Sequence, residues 1–322
     1  MTSMNFLNVK TDEALPGPIG ATLVGAPIDF VWRQPGRREM TGDNLQLAMD
    51  VLGKPYYADE SFVLYNTDCV RAMHKLAENA CVDLTVTSPP YNIGKSYEKY
   101  KSLDDYVEWS KEWINAVHGV TALAGTFWLN VGYTPLHPRA KALPLPYLLW
   151  NLSPFYLVQE VVWNYGAGVA GKKFYSPRNE KFLWYVKDEH TYTFNLDAVR
   201  DPDVKYPRQF KNGRLKVNPL GKNPSDVWQF PKVTSGRDRS SAERTPHPAQ
   251  FPETVIDRVV KASSNEGDLV LDPFMGSGTT AVVAVRNGRK ALGFELNEFY
   301  CELAVRRHEA ALRQGAQDEL FG

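Results

Sequence analysis

Cysteine is scarce in this sequence, and long apolar runs are absent. The three cysteines, Cys69, Cys81 and Cys301, form no CxxC pair and leave an odd number, which argues against a cysteine-based zinc site and suits a reducing compartment. No run approaches the roughly 20 apolar residues that cross a bilayer. The first residues show no basic patch before an apolar segment, so we expect no signal peptide. These absences predict a cytoplasmic protein without a membrane anchor or a bound metal ion.

The composition is that of an ordinary soluble globular protein. Of the 322 residues, 43% are hydrophobic and 23% are charged, which argues against wholesale disorder, collagen and coiled coil. A chain of this length is expected to form about two domains of roughly 150 residues each, or one large α/β domain with insertions.

Positive charge is concentrated in one part of an otherwise neutral chain. Lys and Arg total 37, and Asp and Glu total 37, so the sequence as a whole does not indicate a nucleic-acid partner. Between Lys205 and Arg244, however, there are ten basic residues and only three acids. Such a segment is either a solvated loop or a surface that faces phosphate groups, and its composition alone does not decide between the two.

The chain divides into an irregular start and two ordered stretches with a basic segment between them. Residues 1–58 are rich in Pro and Gly, which predicts an N-terminal arm with one helix over 44–52. Apolar runs of strand length alternate with helical patterns over 59–187 and again over 246–322, whereas 188–245 lose this periodicity. Strands are predicted at 62–66, 83–87, 126–131, 157–163, 182–187, 268–272 and 290–294. Helices are predicted at 70–76, 102–117, 252–262 and 297–312, and a further helix before the last strand ends at 287. This alternation predicts an α/β fold with a doubly wound, mostly parallel sheet.

A glycine-containing turn follows one of the predicted strands. The strand Leu269–Asp272 leads into Pro273-Phe274-Met275-Gly276-Ser277-Gly278-Thr279-Thr280, and a helix follows at once. Glycines let the backbone approach a ligand, so this arrangement is typical of a nucleotide-like site at the carboxyl end of a sheet strand. The next strand ends in Glu295, and an acid at that place can accept hydrogen bonds from ribose hydroxyls. The turn lacks both the third glycine of a dinucleotide fingerprint and the Gly-Lys-Ser/Thr of a P-loop.

A rigid turn follows another predicted strand, which ends at Thr87. Ser88-Pro89-Pro90-Tyr91 contains two consecutive prolines, which fix the backbone and remove two N–H donors. The turn therefore presents acceptors, the Ser88 hydroxyl and the Pro89 carbonyl, beside the aromatic ring of Tyr91. Such a site suits an amino group that gives up hydrogen-bonding protons while its ring stacks on an aromatic face. An ordinary proline turn is the alternative.

Together these segments resemble the DNA amino-methyltransferases. Asp272-Pro273-Phe274-Met275-Gly276-Ser277-Gly278 resembles the family's S-adenosylmethionine motif, and Ser88-Pro89-Pro90-Tyr91 resembles its catalytic motif. The catalytic motif comes first in the chain, which resembles the circularly permuted β group of these enzymes. The segment 245–253 also resembles a family segment, with departures at Ala249 and Phe251. The resemblance covers roughly residues 60–310.

The resemblance implies a fold and a division of the chain. The fold is that of the S-adenosylmethionine-dependent methyltransferases, circularly permuted and with an inserted recognition region. Residues 59–187 would form the catalytic half, 188–245 the target-recognition region, and 246–322 the cofactor-binding half. Residues 1–58 resemble nothing in the family, and their role is not predicted.

The resemblance also assigns roles to particular residues. Ser88, Pro89, Pro90 and Tyr91 are expected to be catalytic, with Tyr91 stacking on a flipped base. The expected contacts to S-adenosylmethionine are Asp68, Asp272, Pro273, Phe274, Gly276, Ser277, Gly278, Thr279 and Glu295. Asp68 is equally well explained as a helix N-cap, Thr279 and Thr280 as residues that only cap a helix, and His247 as a structural turn residue. The expected DNA contacts in the recognition region are Arg214, Lys222, Arg237 and Arg239.

Serine at position 88 favours one substrate atom. In the family, Ser-Pro-Pro-Tyr usually accompanies cytosine N4 methylation, and Asp-Pro-Pro-Tyr accompanies adenine N6 methylation. The resemblance therefore implies a site-specific cytosine-N4 methyltransferase acting on double-stranded DNA, with a restriction endonuclease as its functional partner in a bacterial restriction-modification system. Cytosine C5 methylation is not expected, because that chemistry uses a cysteine that follows a proline, and the cysteines here follow Asp68, Ala80 and Tyr300.

Other interpretations stay open at this point. The first is an adenine-N6 enzyme on the same scaffold. The second is a methyltransferase acting on RNA; protein glutamine methyltransferases use a similar Asn-Pro-Pro-Tyr, but their motif order is the reverse. The third is a DNA-binding regulator that keeps an inactive methyltransferase fold, against which the intact Ser88, Tyr91, Asp272 and Gly276 argue.

Overall fold

The computed structural model describes residues 44–321, with the exception of 80, 96–97, 167–169, 234–240 and 242. Its helices are α1 (Asn44–Leu52), α2 (Cys69–Leu76), α3 (Leu103–Val120), α4 (Pro146–Leu149), α5 (Glu253–Ser263), α6 (Thr279–Arg286) and α7 (Glu298–Phe321). Its strands are β1 (Tyr57–Ala58), β2 (Phe62–Asn66), β3 (Val82–Thr87), β4 (Thr121–Val131), β5 (Tyr133–Leu136), β6 (Ala140–Pro144), β7 (Tyr156–Asn164), β8 (Asn179–Val186), β9 (Phe210–Lys211), β10 (Arg214–Leu215), β11 (Val227–Gln229), β12 (Leu269–Asp272) and β13 (Lys290–Glu295). None of the described helices combines the length and the hydropathy needed to cross a membrane.

Within the described residues, nine strands form one sheet in the order β1-β2-β13-β12-β3-β4-β8-β7-β11. The strands from β2 to β4 in this order run parallel to one another. β8 runs antiparallel to both β4 and β7, and β11 runs parallel to β7. The predicted α/β fold with a mostly parallel sheet is therefore confirmed. Because β12 pairs in parallel with β3, the turn after β12 and the turn after β3 are neighbours although they are far apart in sequence.

Helices cover both faces of the sheet, because side chains along each central strand alternate between two apolar layers. In β4, Phe127 and Leu129 belong to the layer that includes α2 and α3, whereas Trp128 belongs to the layer of α5 and α6. In β12, Leu271 and Val270 divide between the layers in the same way. The sheet is thus doubly wound, as predicted.

Local capping explains where two of the predicted helices begin. The Ser102 hydroxyl accepts a hydrogen bond from the backbone N–H of Asp105 at 3.1 Å, just before α3. The Asp68 carboxylate accepts from the backbone N–H of Arg71 at 3.0 Å and caps α2. The interpretation of Asp68 as an N-cap is therefore confirmed. The predicted helix over 44–52 is α1, and it buries Leu45 and Ala48; residues 1–43 of the expected arm lie outside the described residues.

The basic segment 188–245 contains short elements that periodicity did not predict. β9 and β10 pair through Asn212 and Gly213, whose φ angles are 52° and 74°, the backbone of a primed two-residue hairpin turn. β11 pairs with β7 at the edge of the main sheet, and its Trp228 is buried in the layer of α5. These strands are only two or three residues long, too short to show a strand period.

Candidate active site

A cavity of about 500 Å³ opens where the parallel strands end, the edge at which α/β sheets bind ligands. The predicted site residues that line it are Asp68, Ser88, Pro89, Pro90, Tyr91, Pro273, Phe274, Gly276 and Glu295. The structure thus brings both motifs to one cavity. We call one side of it the serine side, which comprises Ser88, Tyr91, Asn130, Glu180 and Lys232. We call the other the glycine side, which comprises Phe274, Gly276 and Glu295, with the buried Asp272 behind them.

The turn that carries Ser88 is fixed from behind. The Tyr106 hydroxyl donates to the carbonyl of Pro90 at 2.8 Å. Just after Tyr91, the buried Asn92 exchanges hydrogen bonds with the backbone of Lys101, at 2.9 Å as donor and 2.7 Å as acceptor. The Glu98 carboxylate accepts from the backbone N–H of Asn92 at 2.9 Å. These contacts hold the turn rigid, so Ser88 and Pro89 face the cavity in a defined position.

The Tyr91 hydroxyl is the meeting point of the serine side. It lies 2.9 Å from the Ser88 hydroxyl, 2.8 Å from Asn130 Oδ1 and 3.2 Å from Glu180 Oε2. Burial, together with the nearby Glu180 charge, raises the pKa of Tyr91 well above its ordinary value, so the phenol keeps its proton. Its ring lies close to Gly132, where an added Cβ would come within 3.1 Å of Tyr91 Cε2.

A lysine and a glutamate form a largely buried ion pair next to Tyr91. The Lys232 ammonium donates to Glu180 Oε1 and lies 3.9 Å from the centre of the Tyr165 ring. Burial acts to lower the pKa of Lys232, but the Glu180 carboxylate more than offsets it, and the net pKa is raised. Sequence analysis did not assign this pair a role. The residues are 52 positions apart, and no local pattern links them.

Asp272 is buried behind the cavity wall and does not line the cavity. Its carboxylate accepts from the Thr87 and Thr280 hydroxyls at 2.6 Å each, and from the backbone N–H of Phe274 at 3.0 Å. Burial raises its pKa to about 6. Asp272 therefore ties the end of β3 to the start of α6. Thr280 donates to this carboxylate. The N-cap of α6 is Gly278, which has no side chain to form a capping hydrogen bond.

Backbone groups and one carboxylate form the glycine side. The Gly276 N–H donates to Glu295 Oε2 at 2.8 Å, and the Asn297 N–H donates to Glu295 Oε1 at 2.8 Å. Burial raises the pKa of Glu295. Gly276 has a φ of +52°, and an added Cβ would lie 3.0 Å from Nε2 of His247. Glycine is therefore favoured here for two reasons, its positive φ and the narrow space between its Cα and the His247 ring.

An aromatic wall completes this side. The Phe274 ring packs edge-on against Trp109 and Trp113, with centroids 5.8 Å and 5.2 Å apart. Trp109 and Phe274 both line the cavity. The wall offers an apolar surface to a flat ring next to the polar Glu295.

Three residues predicted to contact the cofactor lie behind the cavity wall. Arg307 donates to the Ser277 carbonyl at 2.9 Å and to the Thr279 hydroxyl at 2.9 Å. Gly278 packs against Ala304, to which an added Cβ would come within 2.8 Å. Ser277, Gly278 and Thr279 therefore anchor the turn to α7, because their side chains and Cα atoms face that helix.

His247 lines the cavity next to Gly276. Its Nδ1 accepts from the backbone N–H of Ala249 at 3.3 Å, and its ring packs edge-on to Tyr300 at 4.6 Å. Burial first, and then the charge of Arg307, lower the pKa of His247 to about 4. The ring is therefore neutral near pH 7, which suits a wall residue.

The residues expected to contact DNA are only partly described. Arg214 lies exposed on β10, and Lys222 is paired with Asp201 at 3.1 Å on the surface. Arg237 and Arg239 lie outside the described residues. The structure does not bring Arg214 or Lys222 to the cavity wall.

The sequence is similar to known DNA methyltransferases over most of its length. Residues 82–306 match the family described as DNA methylase. The chain is 59% identical over 259 residues to the Type II methyltransferase M.ScaI of Streptomyces caespitosus, which covers 80% of this chain and 85% of that protein. It is 33% identical over 277 residues to the DNA adenine methyltransferase YhdJ of Escherichia coli strain K12, which covers 81% and 87%.

Solved structures share the fold. PvuII DNA methyltransferase (cytosine-N4-specific) superposes with a TM-score of 0.62 at 20% identity, covering 79% of this chain and 88% of that one. A DNA modification methylase of Thermus thermophilus, solved with S-adenosyl-L-methionine, superposes with a TM-score of 0.54 at 23% identity, covering 77% and 93%. The architecture described above is therefore that of the S-adenosylmethionine-dependent methyltransferases.

Proposed function

The chain belongs to the DNA methylase family that its residues 82–306 match, and from this premise we propose that it methylates the exocyclic N4 of cytosine in double-stranded DNA. It is a DNA methyltransferase of the Type II, restriction-modification kind, and S-adenosylmethionine is its methyl donor. The observation that carries the proposal is that Ser88 and Gly276, from the two motifs, line one cavity. An amino group and a methyl donor can therefore meet there.

The glycine side fits S-adenosylmethionine. Gly276 leaves open the space that a Cβ would fill near His247, and the Trp109–Phe274 wall suits the adenine ring. Glu295 is placed to accept hydrogen bonds from ribose hydroxyls, and Asp68 lines the same cavity. When bound, S-adenosylmethionine would supply a methyl group whose bond to sulfur breaks as its bond to the amino nitrogen forms. The methylated, cationic nitrogen then releases one proton to water.

The serine side fits an exocyclic amino group. The Ser88 hydroxyl and the Pro89 carbonyl accept its two hydrogens, which directs the nitrogen lone pair out of the base plane and toward the glycine side. Tyr91 provides the ring on which the flipped base stacks, and flipping costs a few kcal/mol of lost stacking and pairing. The remaining acceleration comes from positioning.

A hydroxyl at position 88 supports the choice of cytosine. The chain is similar in fold to a cytosine-N4-specific enzyme, and the family associates Ser-Pro-Pro-Tyr with that activity. The second candidate is adenine N6. It is favoured by the 33% identity to a protein named as a DNA adenine methyltransferase, and it uses the same amino-group chemistry.

The exposed hairpin β9–β10 supports DNA as the substrate. Its strands and flanks carry exposed cations, and Phe210 is 65% exposed. The exposed basic residues are Lys205, Arg208, Lys211, Arg214 and Lys216. We propose that this hairpin contacts phosphates and groove edges of the target DNA, and that the methyl mark protects host DNA from a partner restriction endonuclease.

Identifying the methylated nucleoside tests this function. The protein is incubated with mixed-sequence double-stranded DNA and methyl-labelled S-adenosylmethionine, and the digested DNA is analysed by mass spectrometry. The expected product is N4-methylcytosine, and a parallel Ser88→Ala preparation controls for contaminating methyltransferases. N6-methyladenine would overturn the choice of cytosine. Unlabelled DNA, with cofactor binding intact in a calorimeter and every four- and six-base site present, would overturn DNA as the substrate.

A further inference from the structure

The Tyr91 hydroxyl is surrounded by more acceptors than it has protons. Asn130 Oδ1 lies at 2.8 Å, Glu180 Oε2 at 3.2 Å and the Asn130 carbonyl at 3.3 Å. Each of these oxygens can only accept a hydrogen bond. A phenol has one proton, so that proton is directed toward Asn130 and Glu180 and is not available to Ser88.

Both acceptor side chains are fixed by neighbours of their own. The Asn130 amide nitrogen donates to the carbonyl of Lys181 at 3.2 Å, which turns its oxygen toward Tyr91. The Lys232 ammonium holds Glu180 through Oε1, which leaves Oε2 for Tyr91. If the Tyr91 hydroxyl donated to Ser88, Asn130 Oδ1 and Glu180 Oε2 would both lose the hydrogen bond from Tyr91. The raised pKa of Tyr91 keeps the proton on the phenol.

The fourth neighbour of Tyr91 is the Ser88 hydroxyl, 2.9 Å away. Because Tyr91 donates its single proton elsewhere, the bond between these two oxygens forms only if Ser88 donates and Tyr91 accepts. The Ser88 proton then points into the wall, and the lone pairs of its oxygen are left for the cavity. A hydroxyl can act as either donor or acceptor, so its direction has to be set by what surrounds it.

We propose that Asn130, Glu180 and Lys232 are positioning residues that set this direction: through Tyr91 they turn the Ser88 hydroxyl into an acceptor that faces the substrate amino group. In the plane of its base, an exocyclic amino group has two N–H donors and no lone pair, so the group that faces it there has to be an acceptor. With the opposite direction, the Ser88 proton would meet an amino hydrogen, and the substrate would be misplaced. This inference rests on the proposed methyl transfer at Ser88.

A double-mutant cycle between Tyr91→Phe and Glu180→Gln tests the proposal. Phenylalanine keeps the ring but removes the acceptor of the Ser88 proton. In Glu180→Gln, Lys232 holds the amide oxygen, so the amide nitrogen faces Tyr91 and supplies a donor where an acceptor stood. We expect each single change to lower kcat on the order of tenfold, the effect of a lost charge-assisted hydrogen bond, with KM for S-adenosylmethionine unchanged.

The two losses are expected not to multiply. Once Tyr91→Phe has removed the link, Glu180→Gln has nothing left to direct, so the double variant should be about as slow as Tyr91→Phe alone. The matched control is Glu160→Gln, which breaks the Lys181–Glu160 pair at 3.6 Å near the surface and should leave kcat unchanged. Asn130→Ala provides a second variant, with the same expected coupling to Tyr91→Phe.

Two results would overturn the proposal. One is a pair of losses that multiply, which would mean that Glu180 acts independently of Tyr91. The other is a Glu180→Gln variant that folds, as judged by thermal unfolding, and has the kcat of Glu160→Gln. The product of the unmodified protein separates this test from the proposed function. N6-methyladenine with coupled losses would refute the choice of cytosine alone, and N4-methylcytosine with uncoupled losses would refute the positioning role alone.

Discussion

The two sides of the cavity are built in different ways. The glycine side comes from one short stretch after β12, closed by Glu295 at the end of β13, and a backbone N–H of Gly276 holds that carboxylate at 2.8 Å. The serine side is assembled from side chains of distant segments: Asn130 of β4 and Glu180 of β8 meet at the Tyr91 hydroxyl, and Lys232, after β11, donates to Glu180. We therefore expect changes on the glycine side to alter affinity for S-adenosylmethionine, and changes on the serine side to alter the rate of transfer.

The largest effect is expected from Ser88→Ala. The change removes the acceptor that holds the amino group, and loss of one such polar group in an active site lowers kcat by about 10²- to 10³-fold. The affinity for S-adenosylmethionine should stay within about twofold, because Ser88 is on the opposite side of the cavity. Single-turnover transfer and calorimetric binding measure the two quantities. A loss of affinity as large as the loss of rate would show that the two sides are not separable.

The next largest effect is expected from Asp272→Asn. This change should alter the free energy of unfolding more than the affinity for S-adenosylmethionine. Asp272 has a pKa of about 6 in the folded protein because of its burial, against 3.8 as an ordinary value. Between these pH values the unfolded chain has lost the proton and the folded protein retains it. The free energy of unfolding therefore falls as pH rises from about 4 to 6, by about 3 kcal/mol in total, and stays level above that.

Asparagine cannot ionise, so the variant should lack this fall. The measurement is chemical unfolding of both proteins at a series of pH values, with the difference between them plotted against pH. Asp226→Asn, at an exposed position, serves as the matched control for the loss of a carboxylate as such. A flat difference for Asp272→Asn would mean that burial does not raise the pKa of Asp272 in the folded protein.

Gly276→Ala should weaken the binding of S-adenosylmethionine by about tenfold. The added methyl group forces an L side chain into a positive φ of +52° and fills space 3.0 Å from His247. Gly267→Ala is the matched control, since Gly267 has a φ of +83° and nothing within 4 Å of an added Cβ. Both variants carry the backbone strain, and only Gly276→Ala should lose affinity in calorimetry. Equal affinities in the two would place the cofactor elsewhere.

The same difference between the sides explains how much was predictable. The glycine side follows from a contiguous strand and turn, so Gly276 and Glu295 were found from local pattern and the family resemblance. Asn130, Glu180 and Lys232 were assigned no role, because they come together only when distant segments of the chain pair. The placement of Ser277 and Thr279 behind the wall depends likewise on Arg307 of α7, and that of Gly278 on Ala304 of the same helix.

Much of the fold was predictable for a related reason. Strands such as β2, β12 and β13 are apolar runs of four to six residues with clear boundaries, and the alternation with helices indicates the parallel sheet. The antiparallel direction of β8 and the pairing of β11 with β7 are long-range features with no local period. The hairpin β9–β10 did carry a local signal, Asn212-Gly213, which the basic composition of its surroundings obscured.

The smallest effects are expected in the recognition region, where two cations predicted to contact DNA have different surroundings. Arg214 is exposed and has no ion pair among the residues that the structure describes, whereas Lys222 lies 3.1 Å from the carboxylate of Asp201. A phosphate contact by Lys222 would have to replace that pair, so its net gain in binding free energy is smaller.

Arg214→Ala should raise KM for DNA by about three- to tenfold and reduce the salt slope of binding by about 1. Lys222→Ala should change KM by less than about twofold, and both variants should keep the wild-type affinity for S-adenosylmethionine. Equal losses of DNA affinity in the two variants would show that Asp201 releases Lys222 to the phosphates at little cost, so that the surface pair does not decide which cation the DNA engages.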